Sequence, residues 1–479
     1  MNGIVAQPVG IGRRQIRLEQ RVRMSGASIS KVTLLFLAAH IPFALLIARS
    51  SVVATVHALV TLAVGLWWAK SGRRIERVAA VGAYITGAEV LWRMNSALIF
   101  WEFGKYAVAA IFLVALVRRG RCKFPGLVLL YFLLLLPSSL IVLANREWAE
   151  ARQQVSFYLS GPFALTVCAC FFLQTKLSAE LLQRVLVALI APVICIATVT
   201  LFGMVTATAL NFGSTSNFAT SGGYGPNQVS AILGLGALVS LLLTIDDKIN
   251  VYLKVIFLLG TLFLAVQSAI TFSRGGIYTA LFGAALAFAF LIRDSRTRLK
   301  FMTVAAVLFL VANFIVLPRL DMFTGGALSA RFRNLETTGR DTLFWADLQV
   351  WREHPVLGVG PGEADGYRKA IYGDLFKYGV AAHTEFSRLL SEHGIFGLAA
   401  LMAVLLASVR RLRRHRSHKA KAVAAAMIGW ALVFWLHMAM RLVAPCFTFG
   451  LAFAVLLLDE RDIKHFLLKQ RRGHVRALA

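Results

Sequence analysis

Long, nearly unbroken apolar runs recur along almost the whole chain, separated by short polar or basic punctuation. Runs of 16 to 20 residues are helix-length in a bilayer and too long for ordinary strands. Fourteen candidate spans follow: 32–48, 51–69, 78–92, 97–117, 126–144, 155–173, 185–206, 229–244, 251–270, 276–292, 301–317, 395–409, 422–440 and 441–458. The terminal pairs, 32–69 and 422–458, can each be read differently, which gives about 12 to 14. A β-barrel would show short alternating segments instead. The expected fold class is an all-α polytopic membrane protein with one large loop that holds short helices.

Composition supports this. Of 479 residues, 58% are hydrophobic and only 15% are charged, against about 25% charged in a soluble protein. The net charge of +28 resembles a nucleic-acid signature, but its placement says otherwise. With the N-terminus placed in the cytoplasm, the inner segments carry a net +25 and the outer ones +2. That is the positive-inside pattern, with both termini cytoplasmic. Clusters such as Arg410, Arg411, Arg413, Arg414 and Arg416 are topogenic anchors, and no nucleic-acid partner is expected. The first run follows basic residues without a cleavage site after Ala48 and reads as an uncleaved signal anchor. The five cysteines have no metal spacing. The chain divides into a basic N-terminus 1–31, a helix bundle 32–317, an outer loop 318–394, C-terminal helices 395–458 and a basic tail 459–479.

Function is expected in the outer loop, because long loops with internal structure usually carry it. It is nearly neutral, with nine Lys/Arg and ten Asp/Glu. Residues 341–353 predict a helix with Phe344, Leu348 and Trp351 on its apolar face and Asp347 off it. Gly358-Val359-Gly360-Pro361-Gly362 predicts a tight turn, not a phosphate cradle, since no strand precedes it. A second helix carries Phe386, Leu389, Leu390 and His393 on one face and stops at Gly394. His383, at its start, is kept neutral by the helix dipole and reads either as a general base or as a surface cap. Thr271-Phe272-Ser273-Arg274-Gly275-Gly276 places an arginine on the outer face, against the charge bias. It reads as an anion ligand or as a headgroup contact, with Gly275 and Gly276 allowing close backbone approach. Arg340, and more weakly Arg146 and Arg152, are candidates of the same kind. Within spans, Glu102 and Lys105 predict an ion pair, while His437 and Arg441 are functional suspects of lower weight. Walker A, DxD and HExxH motifs are absent from the sequence, so no cofactor or metal is expected.

The ordered set Gly225-Pro226-Asn227-Gln228, Ser273 through Gly276, Arg340 through Trp345, His354 through Gly362, Ala382 through Phe386 and His393 through Gly397 resembles the O-antigen ligase/polymerase superfamily over about 225–410. The resemblance implies a bacterial inner-membrane glycosyltransferase with a GT-C-like helical fold, commonly of near 12 spans. It implies metal-independent, en bloc transfer of a glycan from undecaprenyl diphosphate to an acceptor hydroxyl at the periplasmic face. The acceptor is a lipid A core sugar or a lipid-linked repeat unit. The family's essential histidine falls on His383 and its arginines on Arg274 and Arg340. Arg146, Arg152, Ser273, Gly275, Gly276, Gly360, Gly362 and Glu385 are the expected substrate-binding residues. A flippase of lipid-linked sugars is the alternative, but it should show a charged path through the bilayer and repeated halves.

Overall fold

The structure is a computed structural model that describes residues 29–72, 75–120, 123–213, 215–334, 339–373, 384–464 and 466–468. In chain order, the bundle opens with α1 (Ile29–Ala48), α2 (Ser51–Ser71), α3 (Ile75–Met94), α4 (Phe103–Arg118), α5 (Gly126–Leu134), α6 (Ser139–Asn145) and α7 (Trp148–Leu173). A short strand β1 (Lys176–Ser178) leads into α8 (Ala179–Thr206), then α9 (Pro226–Ile245), α10 (Val251–Ile270) and α11 (Arg274–Leu291). Next come α12 (Ser295–Val311), a π-turn at Ala312–Val316, α13 (Leu317–Thr324) and the loop helices α14 (Ala327–Arg333), α15 (Arg340–Glu353) and α16 (Ala364–Tyr372). The chain closes with α17 (Glu385–Arg414), α18 (His418–His437), α19 (Ala444–Leu451) and β2 (Val455–Leu457). Side-chain caps at Ser50, Ser178, Asn250, Asp294, Thr384 and Ser417 accept the first free N–H groups of their helices.

Eleven of the described helices are long and apolar enough to cross a membrane. The all-α polytopic class therefore holds. Of the fourteen expected spans, 78–92, 97–117 and 441–458 are not among these eleven, and others differ in their bounds. Span 126–144 is one of the eleven and bends between α5 and α6, around Pro137. The helix begun at Ser295 runs to Thr324, and α17 already begins at Glu385, so the segment between spans is 325–384 rather than 318–394. The last run, 441–458, is an eight-residue helix followed by a strand, not one helix. Hydropathy could not separate these cases, because buried irregular backbone in a membrane protein is as apolar as a span.

Contacts sort the loops into two ends. At one, β2 pairs in parallel with β1, Arg411 donates to the carbonyls of Ala452 and Ala454, and Asp247 pairs with Lys300 and Lys419. At the other, Asn217 N donates to Thr271 O at 2.9 Å, Gln154 donates to Pro361 O at 2.8 Å and Arg93 donates to Trp101 O at 2.7 Å. The candidate chemistry lies at this second end.

Between α9 and α11 the backbones touch. A Cβ on Gly276 would collide with the Ser230 carbonyl, and one on Gly234 with the Gly276 carbonyl. Small residues permit this approach where lipid leaves no hydrophobic drive between helices. Gly276→Ala is expected to cost about 1–3 kcal/mol through overpacking. A thermal melt of the detergent-purified variant reads this, and a melt identical to wild type counts against the packing.

Candidate active site

Thr271 to Ser273 make a strained turn between α10 and α11. Phe272 is fully buried with φ of 58°, unfavourable for a bulky side chain and a feature that clusters at functional sites. Its carbonyl accepts from Arg331 Nε at 3.2 Å. Ser273 Oγ donates to Asn227 Oδ1 at 2.7 Å, and the Ser273 carbonyl accepts from Ser230 Oγ at 2.8 Å. The turn is thus tied to the first helical turn of α9.

Arg274 is the first residue of α11, and Arg340 is the first residue of α15. A helix start is the wrong place for a cation, because its free N–H groups already carry positive charge. Arg274 donates to Asn334 O. Arg340 is pushed below the usual arginine range first by burial, then by the guanidinium groups of Arg274 and Arg331. Arg331 is lowered by burial and by Arg274. No carboxylate among the described residues forms an ion pair with Arg331 or Arg340. Two helix starts and three guanidinium groups therefore share one region, which suits an anion. Sequence reasoning found Arg274 and Arg340 and missed Arg331. Its only signal was an arginine just after the Gly325-Gly326 turn.

The first turns of α17 hold a different arrangement. Arg388 bridges Glu385 (2.5 and 2.9 Å) and Glu392 (2.6 Å), with all three side chains almost wholly buried. Asp347 accepts from Arg368 (2.5 Å), Ser387 (2.6 Å) and Ser391 (3.1 Å). The expected face of α15 is thereby corrected. The buried positions are Leu343, Ala346, Asp347 and Val350, while Phe344 is 38% exposed. Pairing with Arg368 made a carboxylate an inward residue, which periodicity alone cannot foresee.

The glycine-rich turn crosses this helix. Gly358, Gly360 and Gly362 have φ of 67°, 98° and 81°. Val359 N and Gly360 N donate to the carbonyls of Ser391 and Glu392, each at 3.0 Å. The turn takes carbonyls that a regular helix would use, so Gly394 (φ 60°, ψ −137°) interrupts α17. The expected stop at Gly394 is a kink, and the helix continues to Arg414. His393 is buried and hydrogen-bonded to Ser138. Arg146 pairs with Glu363 at 2.6 Å, and its hydrogen bonds hold that carboxyl below the usual range.

Between α18 and α19 the chain is unwound at 438–443. Met440 N donates to Glu385 (3.2 Å), and Val443 N to Glu89 (2.7 Å). Arg93 reaches Glu89 (2.7 Å), Gln228 (3.1 Å) and the Arg441 carbonyl (2.9 Å). Irregular backbone at membrane depth persists only with its polar groups satisfied or lining a cavity, and here both hold. The unwound residues line a pocket of about 220 Å³ with Trp101, Glu102, Lys105, Tyr158 and Arg388. Glu102 and Lys105 pair as expected.

Of the expected site residues, Ser273, Gly275 and Gly276 sit beside Arg274, but the glycines face neighbouring side chains and backbone. A Cβ on Gly275 would lie 2.6 Å from the His437 ring. Glu385 braces the unwound segment, and Gly360 and Gly362 pack on α6 and Tyr158. Arg146 is in the Glu363 clamp, and Arg152 is exposed. His383 lies outside the described residues.

Eleven helices long and apolar enough to cross a membrane, with a guanidinium cluster at one end, form an arrangement that suits an anion. Residues 259–402 match the family model for O-antigen ligase. Over this segment, less than a third of the chain, the protein is similar to O-antigen ligase. No curated protein matches the chain. The matched segment holds Arg274, Arg331, Arg340 and the Arg388 network, but not Arg93, Trp101, Lys105, Tyr158 or Arg441.

Proposed function

We propose that this protein transfers a glycan en bloc from undecaprenyl diphosphate to an acceptor hydroxyl at the periplasmic face of the bacterial inner membrane. The acceptor is a lipid A core sugar or a lipid-linked repeat unit. The supporting observation is the convergence of Arg274 and Arg340, each at a helix start, with Arg331, in the last turn of α14 and bonded to the Phe272 carbonyl. The donor's anomeric C–O bond breaks as the acceptor oxygen attacks, and the electron pair passes to the diphosphate oxygen. Guanidinium groups bind that oxygen in forked geometry and hold their charge at neutral pH. They take the part a divalent metal plays elsewhere. His383 receives the acceptor's proton. The charge pattern supports a periplasmic site, since the end bearing the arginine cluster joins the loops of low net charge. A cysteine at Glu150, 68% exposed as a side chain, is expected to react with an impermeant thiol reagent added to intact spheroplasts. Labelling only after lysis reverses the orientation.

The decisive experiment measures undecaprenyl diphosphate binding and glycan transfer in Arg340→Ala, Arg340→Lys and Arg331→Ala. Each is expected to lose on the order of 2–4 kcal/mol of transition-state stabilisation, roughly 10²–10³-fold in rate. The Lys variant should also suffer, because it keeps the charge without the planar fork. Folded variants that transfer at the wild-type rate eliminate the diphosphate clamp.

A further inference from the structure

The pocket beside the unwound segment is not absorbed by the diphosphate chemistry, and its lining differs in kind from the arginine cluster. We infer that it is a saccharide subsite, holding one sugar ring of the lipid-borne substrates while the arginine cluster holds the diphosphate. The inference rests on the function proposed above and extends it to a part of the chain outside the matched family segment.

Charge balance is the first argument. Around Arg274, Arg331 and Arg340, positive charge accumulates. In the pocket the three lining cations are offset: Lys105 is paired with the lining Glu102, and Arg388 lies between Glu385 and Glu392 behind the wall, whose two carboxylates balance Arg388 and Arg441 together. A diphosphate is drawn to the first environment, where Arg331 and Arg340 have no carboxylate ion pair among the described residues, over the second, where the cations are already balanced. A neutral polyhydroxyl ring needs donors and acceptors together, which Lys105, Arg441 and Glu102 supply side by side.

Shape and surface are the second. At about 220 Å³, the pocket is below the roughly 300–1,000 Å³ of drug-sized sites and suits a single ring unit. Trp101 stands at its edge, 46% exposed. The Arg93 guanidinium lies 4.5 Å from the centre of its ring, and the Tyr224 ring centre is 6.3 Å away. A large aromatic residue held in place yet left open offers its electron-rich face to the C–H face of a sugar. Tyr158 forms another wall, positioned by Gly362 and by Arg388, whose guanidinium lies 5.9 Å from its ring centre.

Proximity is the third. The His437 ring touches Gly275, next to Arg274, and Arg441 lines the pocket. His437 and Arg441 are four steps apart along the chain, a reach of at most about 14 Å. Sugar and diphosphate of one substrate, or the sugars of two substrates about to be joined, fit within that distance.

The test uses the full-length protein in lipid nanodiscs. Its probes are sugar-free undecaprenyl diphosphate, the host's undecaprenyl diphosphate-linked glycan and the glycan acceptor. Trp101→Ala is expected to leave sugar-free undecaprenyl diphosphate binding at wild-type strength. It should weaken, by about tenfold or more, either the Kd of the glycan-bearing donor or the KM of the acceptor. The first outcome assigns the subsite to the donor sugar and the second to the acceptor sugar. Trp101→Phe should recover most of the loss, which a merely structural role at an exposed turn would not require. Phe157→Ala, at the same pocket and 43% exposed, gives an independent check. If both Ala variants keep donor Kd and acceptor KM within about twofold of wild type, the saccharide subsite is wrong while the diphosphate site stands. If wild-type protein does not bind sugar-free undecaprenyl diphosphate, the underlying function fails, and the subsite fails with it.

Discussion

Arg388→Leu is expected to lower stability by about 3–5 kcal/mol, because it leaves Glu385 and Glu392 buried without their counter-charge. Both carboxylates are at most 1% exposed as side chains, so water cannot replace the guanidinium. The damage should spread, since Glu385 also accepts from Met440 N in the unwound segment, and Glu392 lies where the glycine turn crosses α17. The measurement is a thermal melt in detergent, compared with Glu385→Gln. Glutamine removes one charge yet can still accept from Met440 N, so its loss should be smaller. An Arg388→Leu protein that melts with wild type would show that the triad is not a structural brace. The same comparison separates two roles for Glu385. Substrate binding predicts a raised KM with unchanged melting, and bracing predicts the reverse.

His383→Ala is expected to lower transfer by roughly 10²–10⁴-fold, the usual cost of losing a general base. Donor binding should remain, because the diphosphate is assigned to Arg274, Arg331 and Arg340. His383→Gln should be no better than Ala, since an amide can hydrogen-bond but cannot take the proton. Paired measurements of donor affinity and single-turnover transfer check this. Lost affinity with a preserved single-turnover rate would make His383 a substrate anchor. Unchanged transfer would return it to a surface histidine and remove the base from the mechanism.

How far the site could be read from the chain depends on the kind of signal. Arg274 stood out because a cation on the outer face opposes the charge bias, and Arg340 because it precedes the amphipathic loop helix and falls on the family's motif. Arg331 and Arg93 carry no such mark in one dimension. Arg331 counted only as loop charge and Arg93 as a lone residue between two spans. Each became informative through partners distant in sequence: Phe272 for Arg331, and Gln228 and the Arg441 carbonyl for Arg93. Helical spacing put Asp347 off the apolar face of Phe344, Leu348 and Trp351, and it is buried because Arg368, Ser387 and Ser391 meet it there.

The sequence by itself determined the membrane class, the positions of most spans and the tight glycine turn. It also marked the two arginines that open helices. These follow from local physics: chain length against bilayer thickness, and backbone angles open to glycine. Only the tertiary structure decided that 441–458 is a broken helix and strand, that Gly394 kinks α17 rather than ending it, and that Gly275 and Gly276 serve packing. In each case the deciding partner is remote in sequence. Glu385 and Glu89 satisfy N–H groups of the unwound chain, the turn at 358–362 takes the α17 carbonyls, and α9 closes against Gly276. Backbone polar groups in a bilayer must find partners somewhere, and hydropathy records the apolar surroundings without recording which partner was found.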